Sequence, residues 1–496
     1  MEPVALVRDQ AVGGVPPVGR IYGDVGLGQF HLTLSQPVER GDYLAVVDEQ
    51  HGQVLCQLDD LRRKSDLDLD RADQMSHGAT TPIHENLLGL ARIVGYRDRQ
   101  GLVKVPTLPF RPGAAVFRAE EPLIADVLGL GHHSATGAYV GLLRNHELRI
   151  ELDINQLVQR HLSVLAKTGG GKSYLLGVII EELLRHKVTC VIIDPHGEYG
   201  SLRFAAEKTA GHARFGVESQ GFSSRIHEFS PDVLLNQGAK PLTFTLHNLD
   251  PRDLLVFMGL SNVKMYLAPL KKLLEEVAAT NRDYTVKDLV NAAGRMEGPA
   301  RDLLQERLSY VDETKLLAPS GTSLHEIVQK GDISLINLRG VAPDVQEIVV
   351  ARIASTLFEN RKKGKIPPMF LVVEEAHNFA PQQGIVACSR ILKNIASEGR
   401  KFGLGLCVVT QRAARIDKSV LSQCTTQLIL QVTNPLDLRA IAQSIEGLTD
   451  GMTEMIQSLP VGVALVTGGG YHYPLFCEVR PRATRHGGES VKIVEG

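Results

Sequence analysis

The sequence predicts an α/β protein with a parallel-sheet core, a small all-β unit ahead of it and a helical segment set into it. Three observations carry this. Leu162 to Tyr174, LSVLAKTGGGKSY, reads as an apolar strand, a glycine turn and the start of a helix. VTCVIID follows as a second apolar strand, which completes a strand–loop–helix–strand unit. Residues 368–379, PMFLVVEEAHNF, run the apolar stretch Phe370 to Val373 straight into two carboxylates.

Residues 1–125 hold short alternating runs, QFHLTL, DYLAVVD, GQVLCQL, LARIVGY and LVKVP, between turns rich in Gly, Asp and Arg. Alternation of period two makes half-buried strands, and a small closed β-barrel is the expected outcome. The polar stretch from Arg62 to Pro82 reads as a mobile loop with solvated charges. No catalytic constellation stands in this part. From Thr136 the runs lengthen, and residues 126–249 form the first part of the core. Residues 250–330 repeat at helical spacing and read as an inserted bundle. DISLINL returns to strand, and residues 331–496 complete the core with the helix VQEIVVARIASTLFENRKKGK and the strands LGLCVVTQ, QLILQV, VGVALVT and PLFCEVR.

The chain of 496 residues has ordinary apolar and charged fractions, as a folded protein with a large core does. Its net charge of −2 excludes a broadly basic surface, so any nucleic acid must be held by local loops. The cysteines at 56, 190, 388, 407, 424 and 477 form no CxxC pair, which argues against a zinc site or a disulfide framework and suits a reducing cytoplasm. The N-terminal MEPVALVRDQ lacks the order of a signal peptide, and no apolar run has membrane-spanning length; neither secretion nor a membrane span is expected.

A glycine-rich turn ahead of a helix cradles phosphates, because turn N–H groups and the positive helix end point at one place. Here Gly169, Gly170 and Gly171 make the turn, and Tyr174 continues the nucleotide-contacting set. Lys172 is placed to reach the β- and γ-phosphates of ATP, and the Ser173 hydroxyl to ligate Mg²⁺. Ala166 stands where the first glycine of the pattern is usual, which requires an ordinary negative φ there. A glycine turn that merely joins strand to helix is the other reading. Leu176, Ile179, Ile180, Leu183 and Leu184, at helical spacing, favour the phosphate site.

Asp194 ends the second strand, at the sheet edge where ligands sit, and can face Mg²⁺ or its waters; an Asp-Pro turn is the alternative. Glu374 and Glu375 end a buried strand, where unpaired charge is costly without a use. Glu374 is expected near Mg²⁺, and Glu375 as the base that orients the attacking water. Gln411 reaches the same edge and can sense the γ-phosphate. Arg400, at a helix end, is either an arginine finger or a partner of the helix dipole. Arg160, before the phosphate-loop strand, is either a surface residue or one that reaches a nucleotide across a subunit boundary.

The ordered set AKTGGGKS, VIIDPHGEY, VVEEAHNFAP and SEGRKFG…VVTQR resembles the HerA family, within the FtsK–HerA class of hexameric DNA motors. The likeness spans nearly the whole chain. It implies a RecA-like P-loop ATPase core, a HAS-barrel-like N-terminal barrel and an inserted helical bundle. It also implies an ATP-driven translocase or helicase on double-stranded DNA ends, a homohexamer working beside a NurA-type nuclease in end resection. By position it implies Lys172 and Ser173 as phosphate and metal residues, Asp194 as the acid of its motif and Glu375 as the catalytic acid. It makes Arg160 and Arg400 nucleotide-contacting arginines. Arg480 and the HGG after it resemble the family's closing strand, which implies a place against the nucleotide. Ala166, and Glu374 where Asp is more general, depart from the pattern and bear on metal geometry, not on the class.

The expected assembly is a ring with ATP at each interface. Lys172, Ser173, Asp194, Glu374, Glu375 and Gln411 act in cis, and Arg400 and Arg160 reach in from the neighbour. Loops Asn378–Ile385 and Arg412–Lys418 leave the sheet near the γ-phosphate sensors, and are expected to grip DNA through its phosphates without regard to sequence. Two rivals share these motifs: an ATP-gated ring that scaffolds or activates an effector without moving DNA, and a secretion or conjugation ATPase.

Overall fold

Strands with one apolar and one polar face must bury the apolar one, and the N-terminal strands do so by closing on themselves. The computed structural model describes residues 16–487, apart from positions 79, 81, 132–134, 248, 261, 262 and 446. Gly19–Val25, Gln29–Leu34, Tyr43–Asp48, Gly52–Ser65, Glu85–Arg97 and Ala115–Arg118 pair antiparallel. Gln29–Leu34 bonds to both Gly19–Val25 and Glu85–Arg97, so the ring closes and loses its edges. Phe30, Leu32, Leu44, Val46, Val54 and Leu58 fill the interior.

The stretch from Arg62 to Pro82 departs from expectation. The strand Gly52–Ser65 carries on through Arg62–Lys64, paired with Asn86–Leu88, and Leu69–Ser76 is a helix. Asp68 caps that helix by accepting the Arg71 N–H at 2.8 Å. Polarity alone made the segment read as loop; strand pairing and a capping aspartate decide otherwise.

The barrel is fixed to the core through Asp59. Its carboxylate accepts the Thr449 hydroxyl at 3.0 Å and pairs with Arg92 at 2.9 Å.

The core is a twelve-stranded sheet. In spatial order it runs Lys240–Pro241, Ile226–Ser230, Ile333–Asn337, Thr189–Asp194, Met369–Val373, Leu404–Thr410, Leu162–Leu165 and Thr426–Ile429, all parallel. Val463–Gly468, Tyr471–Val479, Gly137–Leu143 and Arg149–Asp153 extend it antiparallel. The central strands are buried along their whole length, as helices on both faces demand. The expected insertion is present: helices Pro251–Phe257, Val263–Thr280, Val286–Ala293 and Arg301–Thr314 pack Leu254, Leu270, Leu273, Leu289, Leu304 and Leu308 into the core on one face. Among the described residues no helix is long and apolar enough to cross a membrane.

Candidate functional site

Parallel strands present all their carboxyl ends at one edge, the edge where such sheets bind ligands. Leu162–Leu165 runs there between Leu404–Thr410 and Thr426–Ile429, with Leu165 level with Thr410 and Ile429. The chain then turns through Gly169 and Gly171 into the helix Lys172–Arg185. Gly171 caps that helix at φ 89°, a left-handed conformation that disfavours any side chain. Positive φ among non-glycine residues falls at Asn145, His161, Lys187, Lys315 and Glu375, so Ala166 keeps the ordinary backbone its methyl group requires.

Next to this loop the strand Met369–Val373 ends in the two acids. Glu375 has φ 48°, a left-handed position that costs a non-glycine residue about 1–3 kcal/mol and marks a constrained turn. It aims the carboxylate back at the phosphate loop: the Lys172 amine bonds to Glu375 Oε1 and lies 3.7 Å from Glu374 Oε1. Glu374 is fully buried, accepts the Tyr199 hydroxyl at 2.9 Å through Oε1, and keeps Oε2 buried without a hydrogen-bond partner. Burial raises its carboxyl above the usual range, and the Lys172 charge opposes the rise. Gln411 follows Thr410 on the neighbouring strand, and its Oε1 accepts the Thr168 hydroxyl of the phosphate loop.

Asp194 lies at this edge but in another role. Oδ1 accepts the His196 and Gly197 N–H groups at 3.3 and 2.8 Å, and Oδ2 accepts that of Tyr199 at 3.2 Å. Its carboxylate builds the DPHGEY turn, the alternative the Asp-Pro pair offered, in place of facing a metal. Burial raises its carboxyl, against those N–H groups. The turn seats Tyr199, fully buried, against Glu374.

Arg480 is a second correction. It is completely buried, and all five of its N–H donors are engaged. Nε donates to the Tyr139 carbonyl, Nη1 to Glu181 and the Pro481 carbonyl, and Nη2 to Glu182 and the Val178 carbonyl. Nothing is left for a nucleotide. Glu181 also accepts the Ala483 N–H at 3.0 Å and the Thr484 N–H at 2.8 Å, so residues 480–484 are clasped to the phosphate-loop helix. Gly177 permits this, since a Cβ there would stand 2.6 Å from the Arg482 guanidinium carbon. The clasp makes one wall of a cavity of about 420 Å³ beside Gly171, lined by Tyr174, Leu430, Val461, Pro481 and His486.

Arg160 and Arg400 are at the opposite edge. Each precedes its strand, Leu162–Leu165 or Leu404–Thr410, and those strands lie side by side in parallel. Together with Lys187, Lys330 and Lys401 they line a cavity of about 710 Å³ whose lining holds no carboxylate. His161 spaces them: Nδ1 accepts the Leu406 N–H at 2.9 Å, which leaves Nε2–H to donate to the Ala396 carbonyl at 3.0 Å.

Three residues carry this geometry without a signal in the sequence: Tyr199, His161 and His377, whose Nδ1 bonds to Thr410 Oγ1 at 3.0 Å and lies 3.3 Å from Glu375 Oε2.

A phosphate loop, two acids on an adjacent parallel strand and a polar side chain on the next define a RecA-like P-loop ATPase fold. A solved VirB4 of Thermoanaerobacter pseudethanolicus shares that fold, with a TM-score of 0.52 and 16% identity over 70% of this chain and 97% of its own. Residues 138–357 match the family model described as helicase HerA, central domain. A DNA double-strand break repair helicase HerA of Pyrococcus furiosus is 26% identical over 561 aligned residues, covering 96% of each chain. A probable helicase of Methanocaldococcus jannaschii is 28% identical, covering 82% of this chain and 79% of its own. The chain is thus similar to HerA helicases, through the family model over its central part and through relatives along most of its length.

Proposed function

We propose that this protein is an ATP-driven translocase or helicase that works on double-stranded DNA ends as a homohexamer, beside a NurA-type nuclease in end resection. The observation that carries the reading is the split of charge between the sheet edges. Phosphate loop, acids and Gln411 stand at one edge, Arg160 and Arg400 at the other. A ring that sets one copy's cationic edge against the next copy's phosphate loop completes a site that a single copy lacks. The relatives' names, helicases and repair helicases, support the DNA substrate. The unit boundaries near residues 125, 250 and 330 belong to the same reading.

Lys172 and the N–H groups of Gly169–Gly171 hold the ATP phosphates, and the cavity at Tyr174 takes the base. The Mg²⁺ expected with ATP fits the residues present: Ser173 and Glu374 would hold it, since the buried Glu374 Oε2 has no other partner. When bound it neutralises charge on the phosphates. Phosphate that draws Lys172 away leaves Glu375 to accept a proton from the attacking water, and Gln411 faces the γ-phosphate. Arg400, with Arg160, meets the developing charge from the neighbouring copy. The six cysteines are free and buried, as suits a reducing cytoplasm.

The test is ATP turnover of the purified protein with and without linear duplex, together with displacement of a block on that duplex. Stimulation and displacement are expected, and duplex binding that weakens with salt. Turnover indifferent to duplex favours the scaffolding ring.

A further inference from the structure

The two loops that leave the sheet beside Glu375 and Gln411 are one body. Gln382 N–H donates to the Arg415 carbonyl at 2.7 Å, and Asp417 N–H to the Ala380 carbonyl at 2.8 Å. Pro381 and Ile416 pair as an antiparallel bridge, and the Gln382 side-chain oxygen accepts the Lys418 N–H at 2.8 Å. Ala380 and Ile416 are buried and root the pair. Arg412, Arg415 and Lys418 are exposed on it and have no ion-pair partner among the described residues, while Asp417 between them is tied to Lys393 at 2.6 Å. The result is a rooted finger with three free cations, the charge that the phosphates of a nucleic-acid backbone attract.

One side chain joins this finger to the chemistry. His377 Nδ1 is 3.3 Å from Glu375 Oε2 and hydrogen bonds to Thr410 Oγ1 at 3.0 Å. The same Thr410 oxygen accepts the Arg412 N–H at 3.0 Å, at the start of the second loop. Glu375 Oε1 is bonded to Lys172, the group that ATP phosphate competes for. A carboxylate released by Lys172 still has the imidazole 3.3 Å away, and that imidazole shares the Thr410 hydroxyl with the Arg412 N–H.

We propose that His377 is a positioning residue that couples the partner of Glu375 to a two-loop cationic finger gripping the DNA backbone. This rests on the function proposed above. The experiment measures ATP turnover with and without linear duplex, and duplex retention at low salt, for the full-length protein and three variants. His377→Leu and Thr410→Val are each expected to lower the ratio of stimulated to basal turnover about tenfold while still retaining duplex; His377→Asn, whose amide stands near the Nδ1 position, is expected to keep the ratio within about threefold. Native turnover that ignores duplex overturns the proposed function and the coupling together. A stimulated native protein whose Thr410→Val and His377→Leu variants keep the ratio within about twofold overturns the coupling alone. So does an Asn variant that fails as the Leu variant does, because position would then not be what matters. Should the Leu variant not fold, Thr410→Val decides.

Discussion

The two edges of one parallel sheet carry opposite chemistry. The carboxyl edge holds two buried acids around a single lysine, and the amino edge holds Arg160, Arg400 and three lysines around an open cavity. The strand Leu404–Thr410 that separates Arg400 from Gln411 is seven residues long, about 20 Å at the rise of a parallel strand. That exceeds the reach of any side chain. The contrast teaches that Arg160 and Arg400 are out of reach of their own copy's phosphate loop; in the ring proposed above a neighbouring copy supplies them.

The sharpest way to break this comparison is to damage the edges in separate copies. Arg400→Ala is expected to lower turnover by about 10³–10⁵, and Glu375→Gln by about 10²–10⁴ with ATP binding kept. Mixed subunits should recover turnover above either variant alone, since an interface between an intact Glu375 and an intact Arg400 then exists. A mixture no better than its parts places both residues in one copy's site.

A second test uses the arginine that belongs to neither edge. Arg480→Met leaves the buried Glu181 without its nearest cation, while Glu182 keeps Arg185, and is expected to cost about 3–5 kcal/mol in denaturant unfolding with ATP affinity unchanged. A weaker ATP affinity at unchanged stability would return Arg480 to the nucleotide.

The smallest effect tests the spacer between the two arginines. Burial, reinforced by the nearby Arg400 charge, lowers the His161 imidazole to about 4. The unfolded chain, with an ordinary histidine near 6.5, takes up the proton first as pH falls, so stability present above that value is lost between about 6.5 and 4. Between pH 7 and pH 5 the loss is about 2 kcal/mol, and His161→Asn, which tolerates the φ of 57°, is expected to remove that slope. An unaltered slope shows that the buried imidazole is not the source of the loss.

What was legible in the sequence is what is local. The phosphate loop needs only consecutive glycines and Lys172, and the Glu374–Glu375 pair needs only an apolar run before it. The alternating N-terminal runs gave a barrel because closure follows from a pattern repeated along the chain. Two of the missed residues act through distant partners: Tyr199 meets Glu374 at a separation of 175 residues, and His161 meets Leu406 at 245. Asp194 misled for the opposite reason. Its carboxylate is held by N–H groups two to five residues on, a local turn for which Pro195 and Gly197 were signals. Arg480 was placed by position alone, and the acids that hold it lie 299 and 298 residues earlier.

That last separation sets a timetable for biosynthesis. Glu181, on the helix behind Lys172, faces inward without its guanidinium until residues 480–484 have been translated, roughly 15 to 60 s later at ordinary ribosome speed. A nascent chain thus carries the phosphate-loop helix for that interval without the segment that clasps it.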